Sequence, residues 1–331
     1  MSMGRLIAAL TISICTGCAP QDAAPGTIAF TDVTVIPMDR PGVVEAQTVV
    51  TVDGVIVEVG DADAITVGRG ATLIDGTGRY LMPGLAEMHA HVPPGADPPR
   101  EAVEDLLFLY VANGVTTIRG MLGSDYQIPL AAELRSGGLL GPTFYVGAPS
   151  INGNSAPTPA RAEELIRGHH AAGYDLQKIH PGVSLETWDH MAAVAAEVGL
   201  TFGGHVPAAV GLAHAIETGM STVDHLDGYV QAVASDDVVS QVNTGEEISL
   251  EGLVDGVDES KIAEIVQLTV DNDVYVVPTM YLWANLYGTT DPEPILTQPE
   301  MQYVSPGQRD AWRRQAAPGP AGAPDVVAAF L

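Results

Sequence analysis

Cysteine is almost absent from this sequence. The 331 residues include two cysteines, Cys15 and Cys18, and both lie within the first 18 positions. Residues 19–331 therefore contain no thiol for a disulfide framework, so a packed core must stabilise the fold. With 46% hydrophobic residues, the chain can bury one large core, or one large and one small core.

Basic residues are scarce as well. The chain has 14 Lys and Arg residues against 41 Asp and Glu residues, which gives a formal net charge of -27. Such a charge repels polyphosphate, so we do not expect nucleic acid as a partner, and an anionic membrane surface is disfavoured for the same reason. Beyond the N-terminal segment, no apolar run reaches the length of about 20 residues that a membrane-spanning helix needs.

The N-terminal segment predicts export. Arg5 precedes an apolar run over residues 6–14, which is typical of a signal-peptide core and too short to span a bilayer. Cys15-Thr16-Gly17-Cys18 resembles the lipobox of bacterial lipoproteins and implies a lipid on Cys18; the alternative is an ordinary secretory signal cut nearby. We expect a signal peptide over residues 1–18, a tether over 19–26, and a periplasmic or membrane-anchored protein whose membrane attachment depends on Cys18.

Residues 27–80 are rich in short β-type runs. Val49, Val50 and Val52 belong to one run and Val55 to Val59 form the next, with Asp53-Gly54 between them. Asp-Gly between two such runs is a strong signal for a two-residue hairpin. We therefore predict a small β-domain over residues 27–80.

From residue 81 onward, short apolar strands alternate with helical segments, which indicates a parallel α/β architecture. Thr158 and Pro159 are expected to begin one helix that ends at Gly173, and Asp258 another that buries Ile262, Ile265 and Val266. Seven strands at this spacing fit a (β/α)8 barrel. The eighth strand is missing, so we expect an incomplete barrel over residues 81–331 and a C-terminally truncated sequence. The seven predicted strands cover residues 84–88, 115–118, 143–146, 175–179, 200–203, 221–223 and 275–277.

Candidate metal ligands stand where these strands end. His89 and His91 alternate on an extended segment, so both imidazoles can reach one metal ion. Lys178, His205 and His225 end the fourth, fifth and sixth strands, and the carboxyl ends of barrel strands meet at one rim. Lysine has no lone pair when protonated and becomes a ligand only as a carbamate, whose two oxygens can bridge two cations.

The stretch Leu73-Ile74-Asp75-Gly76-Thr77-Gly78, followed by Leu81-Met82-Pro83-Gly84 and by Glu87-Met88-His89-Ala90-His91, resembles the amidohydrolase superfamily. The similarity is to the branch of imidazolonepropionases and Xaa-Pro dipeptidases, over roughly residues 27–290. It implies a barrel beside a small β-sandwich, here the N-terminal β-domain. It also implies two divalent metal ions, with zinc expected: His89 and His91 on the first, His205 and His225 on the second, and carboxylated Lys178 bridging them.

The sequence departs from the family in two places. The family has a strand-eight aspartate that ligates metal and moves protons, and this chain ends before such a strand. Asp310 and Asp325 are poor substitutes because they lie in helix-like or polar stretches, so no catalytic base is located. Arg119 is followed by Gly120, where relatives commonly have aspartate.

Three residues are candidate substrate contacts. His180, two positions after Lys178, faces the pocket or lies in a loop. Tyr229 matches a position at which some relatives hold a substrate carboxylate, and Arg119 either binds a carboxylate or forms a structural ion pair. The predicted function is metal-dependent hydrolysis of a C–N bond in a small molecule, a dipeptide ending in proline or a cyclic amide. The alternatives are a non-catalytic metal-binding surface lipoprotein and an inactive gene fragment.

Overall fold

The computed structural model describes residues 22–244, 252, 255–282 and 291–315. The chain divides into two compact units, Met1–Pro83 and Gly84–Leu331. The predicted signal peptide, lipobox and Asp325 lie outside the described residues. Within the described ranges, no helix has both the length and the apolar composition that crossing a membrane requires.

The first unit is built on one sheet of five strands. Strand β1 pairs antiparallel with β2, which pairs antiparallel with β3, while β4 and β5 both run parallel to β1. Val52 and Val55 face each other across the turn formed by Asp53 and Gly54, whose φ angles are 50° and 81°. The predicted hairpin is confirmed, because positive φ at both turn positions is what a type I′ turn requires. The strands are β1 (Thr27–Val35), β2 (Val44–Val52), β3 (Val55–Asp61), β4 (Thr72–Asp75) and β5 (Tyr80–Leu81).

Among the described residues, the second unit contains seven parallel strands, in agreement with the seven predicted. They form two sheets, β6-β7-β8 and β9-β10-β11-β12, in which sequence neighbours pair. Isolated parallel bridges between Gly147 and Leu176 and between Ile151 and Ile179 join β8 to β9. The strands are β6 (Leu85–Ala90), β7 (Val115–Gly120), β8 (Thr143–Val146), β9 (Gln177–Ile179), β10 (Phe202–Gly204), β11 (Thr222–Asp224) and β12 (Tyr275–Val277).

Helices alternate with these strands and begin and end at the residues that favour such positions. The Thr158 side chain accepts a hydrogen bond from the Arg161 backbone N–H, Pro159 is the first helical residue, and Gly173 ends the helix with φ 88°. The helices are α1 (Arg100–Ala112), α2 (Gln127–Arg135), α3 (Pro159–Ala172), α4 (Leu185–Val198), α5 (Leu212–Glu217), α6 (Tyr229–Ala232), α7 (Asp236–Thr244), α8 (Ile262–Asp271), α9 (Glu293–Leu296) and α10 (Pro306–Gln315).

Two apolar clusters form the core of the second unit. The larger one surrounds the fully buried Trp188 and Met191 of α4 and includes Ile179 and Phe202 from the strands. The smaller one packs α1 and α2 against β7 and β8 around Leu107. Together the clusters fix the strands from the helical side, so the strand ends are held on a rigid scaffold.

The described residues do not close into a barrel, because β6 and β12 do not pair with each other in the observed sheets. Among the same residues the first unit has a single sheet, so the incomplete barrel and the partial sandwich both stay predictions. The predicted burial of one helix face needs correction. Helix α8 starts after a short 3-10 turn capped by Asp258, and Ile265 packs against the larger core cluster, but Ile262 and Val266 are exposed.

Candidate active site

Four strands bring five histidines and one lysine together at their carboxyl ends. His89 lies in β6 and His91 follows it; Lys178 lies in β9, and His180 is the second residue after it. His205 and His225 follow β10 and β11 directly. Neighbouring rings are in contact, with centroid distances of 5.1 Å for His89–His91, 4.4 Å for His89–His225, 4.6 Å for His205–His225 and 4.9 Å for His180–His205.

A buried carboxylate lies beside this histidine cluster. Asp224, the last residue of β11, is fully buried; its Oδ2 is 2.7 Å from His89 Nδ1 and 3.7 Å from Lys178 Nζ. Arg119 donates to its Oδ1 at 3.2 Å. Burial by itself would raise the pKa of Asp224, but the hydrogen bond from His89 and the charges of Lys178 and Arg119 outweigh it and hold the pKa below its usual value.

The sequence interpretation overlooked Asp224. Its signal was present, since the run Asp224-His225-Leu226-Asp227 has a carboxylate on either side of a predicted ligand. A histidine at a metal site usually donates its second ring nitrogen to such a carboxylate. Which histidine Asp224 contacts could not be read from the sequence, because its partner His89 is 135 residues away.

Arg119 is engaged inside the second unit. Its side chain is buried and donates to the Met88 carbonyl at 2.8 Å and to Thr222 Oγ1 at 2.9 Å, in addition to Asp224. These bonds connect β6, β7 and β11 below the histidine cluster. Of the two readings of Arg119, this geometry agrees with the structural ion pair, and the carboxylate contact stays a prediction.

Lys178 is almost as completely enclosed as Asp224. Its residue is 1% exposed, and its Nζ has no hydrogen-bond partner among the described residues. Burial lowers the pKa of Lys178 to about 8, although the Asp224 carboxylate partly offsets the effect. Gly204 makes room for the lysine, since a Cβ there would lie 3.0 Å from Nζ and 2.6 Å from the Ile179 carbonyl oxygen. A buried amine of this kind is prepared for a reaction or for a ligand.

Two further hydrogen bonds orient imidazoles. His205 Nδ1 lies 2.7 Å from Asp227 Oδ2, and His225 Nδ1 lies 2.8 Å from Thr279 Oγ1. The backbone of His225 is left-handed, with φ 63°, and Leu226 follows with φ 59°. Non-glycine residues in this conformation store about 1–3 kcal/mol of strain each and concentrate at functional sites.

His180 joins the cluster from its outer side. Its ring stacks on His205 with an angle of 26° between the planes, and its buried Nδ1 has no hydrogen-bond partner within the described part of the chain. Desolvation, together with the positive charges nearby, lowers the pKa of His180 to about 4, and the same causes lower the pKa of His225 to about 4. Both rings are therefore neutral at pH 7 and can offer lone pairs.

Tyr229 and Asp310 make contacts outside the histidine cluster. The Tyr229 hydroxyl lies 2.9 Å from Thr269 Oγ1 of α8, and the ring packs against the larger core cluster. Its contact with a substrate stays a prediction. Asp310 is an exposed residue of α10 that pairs with Arg313 at 2.6 Å.

The residues can be tested against the metal pair that the resemblance implies. In the described residues, no three His, Cys, Asp or Glu side chains are arranged to hold a metal ion. The rings contact one another instead, and the amine in the middle is not a ligand until it carries a carboxylate. The donor set nevertheless fits: imidazoles whose Nδ1 atoms contact Asp224, Asp227 and Thr279, beside a buried amine without a hydrogen-bond partner among the described residues.

Parallel strands that alternate with helices and carry a cluster of histidines at their carboxyl ends define a protein of the α/β class. Solved structures agree. The chain is similar to a bottromycin amidohydrolase (21% identity, 93% of this chain and 63% of that one, TM-score 0.61). It is also similar to molinate hydrolase, with 19% identity, coverage of 92% of this chain and 83% of that one, and a TM-score of 0.57. A Xaa-Pro dipeptidase is similar as well, with 17% identity, coverage of 88% of this chain and 76% of that one, and a TM-score of 0.56. At these identities the likeness establishes the fold.

Curated proteins add sequence relatives. The chain is 36% identical over 76 residues to an enamidase of Eubacterium barkeri, covering 23% of this chain and 20% of the enamidase. It is 26% identical over 219 residues to adenine deaminase 3 of Rhizobium meliloti (strain 1021), covering 61% of this chain and 35% of the deaminase. The matches thus span about a fifth and a third of these relatives. No family model matches the chain. Both relatives are amidohydrolase-superfamily proteins, so the resemblance predicted from the sequence is confirmed.

Proposed function

We propose that this protein is a metal-dependent hydrolase that cleaves a C–N bond. One observation carries the proposal: the buried Lys178 amine, without a hydrogen-bond partner among the described residues, lies among imidazoles that four separate strands supply. A structural core has no use for such an arrangement, because a buried amine that makes no hydrogen bond costs free energy, even with the Asp224 carboxylate 3.7 Å away. The names of the relatives, which include amidohydrolases, a dipeptidase, an enamidase and a deaminase, support the C–N bond as the target.

The proposed ligands are those implied by the resemblance. His89 and His91 would hold one divalent cation and His205 and His225 a second one, with carboxylated Lys178 between them; zinc suits this set of nitrogen and oxygen donors. A bound pair of this kind supplies an activated water and polarises the scissile carbonyl. Carboxylation requires carbon dioxide, which adds to the neutral lysine amine with loss of one proton.

The protein's own residues contribute orientation. Asp224 and Asp227 fix the rings of His89 and His205 through Nδ1, which leaves Nε2 of each ring as the donor to a cation. Arg119 fixes Asp224 in turn, and it compensates the carboxylate charge within a site from which most water is excluded. His180 is placed to contact a substrate at the outer side of the cluster. The described residues provide no proton carrier for the leaving nitrogen, a role the resemblance gives to a strand-eight aspartate.

The substrate class and the cellular location belong to the same proposal. A dipeptide ending in proline or a cyclic amide fits the relatives' names, and the N-terminal segment supports an exported protein, anchored through Cys18 if it is lipidated. A closed (β/α)8 barrel with an adjoining β-sandwich is the corresponding complete fold. The two alternatives are a metal-binding protein without activity and an inactive fragment. Both predict that no substrate is hydrolysed, whereas the proposal predicts hydrolysis.

The test combines metal content with turnover. The chain is loaded with zinc in bicarbonate buffer, its zinc is counted by elemental analysis, and hydrolysis is assayed on proline dipeptides and cyclic amides. About two zinc ions per chain with turnover supports the proposal; zinc without turnover supports the binding protein. The Lys178→Met variant should lose the proposed bridge between the two zinc ions and all activity. His170→Asn, which alters an exposed histidine of α3, is the matched control and should change neither.

A further inference from the structure

A cleft lies beside the histidine cluster, between the loops that follow β8 and β9. It has a volume of about 570 Å³, and its polar side chains are Ser150, Asn152, Asn154 and His180. His180 belongs to both features, because it lines the cleft and stacks on His205. A group bound in this cleft would therefore lie next to the reacting centre.

Backbone hydrogen bonds fix the two loops to each other. The Ile151 N–H donates to the Lys178 carbonyl at 2.9 Å, and the His180 N–H donates to the Ile151 carbonyl at 2.8 Å. The Asn152 side-chain oxygen accepts from the backbone N–H groups of Asn154 and Ser155 at 2.8 and 3.0 Å. The wall of the cleft is thus preorganised, so a ligand would not have to order it.

Two glycines set the width of the cleft. A Cβ on Gly153 would lie 2.4 Å from the Gly182 carbonyl oxygen, and Gly182 itself has φ 93°. The Gly153 N–H also donates to the Pro181 carbonyl at 3.3 Å. Because any side chain at position 153 would push the loops apart, the close approach at this point depends on glycine.

The lining is polar but uncharged. Among the described residues, none of those that line the cleft is Asp, Glu, Lys or Arg. A substrate carboxylate would find no cation among these lining residues, and an ammonium group would find no anion, so neither charge would gain an ion pair from them. Hydroxyl and carboxamide groups, in contrast, both donate and accept hydrogen bonds. The formal net charge of -27 disfavours an anion still further.

We propose that this cleft binds an uncharged, hydrogen-bonding side group of the substrate, a carboxamide or a hydroxyl, adjacent to the scissile bond. The assignment of the bound group to the substrate rests on the proposed hydrolase function. Asn154, which is exposed on the cleft wall, is the residue we expect to contact that group.

Three dipeptides of nearly equal size test the proposal: Asn-Pro, Leu-Pro and Asp-Pro. Their affinities for the full chain are measured by calorimetry with a chelator present, so that binding is read without turnover. Asn-Pro should bind about tenfold more tightly than the other two, as expected for one or two additional hydrogen bonds. The Asn154→Leu variant should reduce this preference to within about twofold, and Asn154→Arg should shift it toward Asp-Pro. Asn272→Leu, at an exposed asparagine after α8, should leave it unchanged.

Equal affinities for the three dipeptides, tightest binding of Asp-Pro, or no binding of any of them would overturn the proposal. Retained preference in Asn154→Leu would overturn the role of that residue. The proposed hydrolase function is judged separately, by hydrolysis of the same dipeptides after zinc loading. Selective binding without hydrolysis would refute the function; the cleft would still bind a carboxamide or hydroxyl group, but that group would not belong to a substrate.

Discussion

His89 Nδ1 and Asp224 Oδ2 are 2.7 Å apart, although 135 residues separate them in the chain. The contact joins the end of β11 to β6, and the same carboxylate binds Arg119 from β7. Asp224 thereby determines which nitrogen of His89 remains available to a ligand. The buried Asp224 carboxylate thus orients the His89 ring and at the same time connects β6, β7 and β11.

Replacing Asp224 by asparagine should weaken both metal binding and stability. Asp224→Asn keeps the shape but leaves Arg119 and Lys178 without their counter-charge, so we expect a loss of about 3–5 kcal/mol in the free energy of unfolding. Zinc affinity should fall about 10–100-fold, because His89 loses the partner that fixes its tautomer. Urea unfolding and competition with a zinc chelator measure the two effects.

The control for this prediction is another Asp-His pair. Asp189 contacts His214 at 2.5 Å on the exposed surface, and neither residue is a proposed ligand. Asp189→Asn should change the free energy of unfolding by less than about 1 kcal/mol and leave zinc affinity unchanged. Equal effects of the two substitutions would show that Asp224 has no special connection to the site.

The proposed ligands could be found from sequence because each one is tied to a local pattern. His89, His205 and His225 stand at or just after the end of a short apolar run, and parallel strands deliver such residues to one edge. The contacts of Asp224 and Arg119 could not be found in this way. They depend on which strands neighbour each other and on side-chain direction, and neither is encoded within a few residues.

Gly204 should be needed to hold Lys178 in place. Its φ is 125°, which disfavours any other residue, and a Cβ there would be 2.9 Å from Lys178 Cδ and 3.0 Å from Nζ. We expect Gly204→Ala to displace the lysine and to reduce zinc stoichiometry from about two to one or fewer per chain. Elemental analysis measures this. Gly168→Ala in α3, where a Cβ meets no atom within 4 Å, is the control. Full zinc loading in Gly204→Ala would contradict the prediction.

The sequence predicted the positions of the parallel strands and, for α3, the residues at which the helix begins and ends. Thr158, Pro159 and Gly173 mark α3 because capping chemistry is local. The exposure of Ile262 and Val266 was not predictable, since an apolar stripe indicates only that a face suits burial. Whether a neighbour covers that face depends on packing between distant segments.

The cap of α3 gives a prediction that involves no ligand. Thr158 accepts a hydrogen bond from the Arg161 backbone N–H, which the helix itself cannot satisfy. Thr158→Ala should lower the free energy of unfolding by about 1 kcal/mol, whereas Thr158→Ser should keep most of it. Urea unfolding of the two variants distinguishes them. An equal loss in both would mean that the methyl group, and not the hydroxyl, matters at this position.

Trp188 should be the most sensitive single position of the larger core cluster. Its side chain is fully buried, its ring meets Phe202 edge to face at 5.5 Å, and its indole N–H donates to Thr218 Oγ1 at 2.9 Å. Trp188→Ala should cost about 3–5 kcal/mol, because the loss of apolar contact adds to the cavity that remains. Trp188→Phe refills most of the space and should cost less, although Thr218 loses its indole partner.

Trp312 offers the matched comparison. It lies on α10 and is 40% exposed. Trp312→Ala should lower the free energy of unfolding by less than Trp188→Ala does, since Trp312 already has 40% of its surface in contact with water and loses less apolar burial. Urea unfolding of the variants should therefore rank Trp188→Ala as the most destabilised. If Trp312→Ala proved as destabilised as Trp188→Ala, the ring of Trp188 would not be the centre of the core, and the packing of α4 against β9 and β10 would need another explanation.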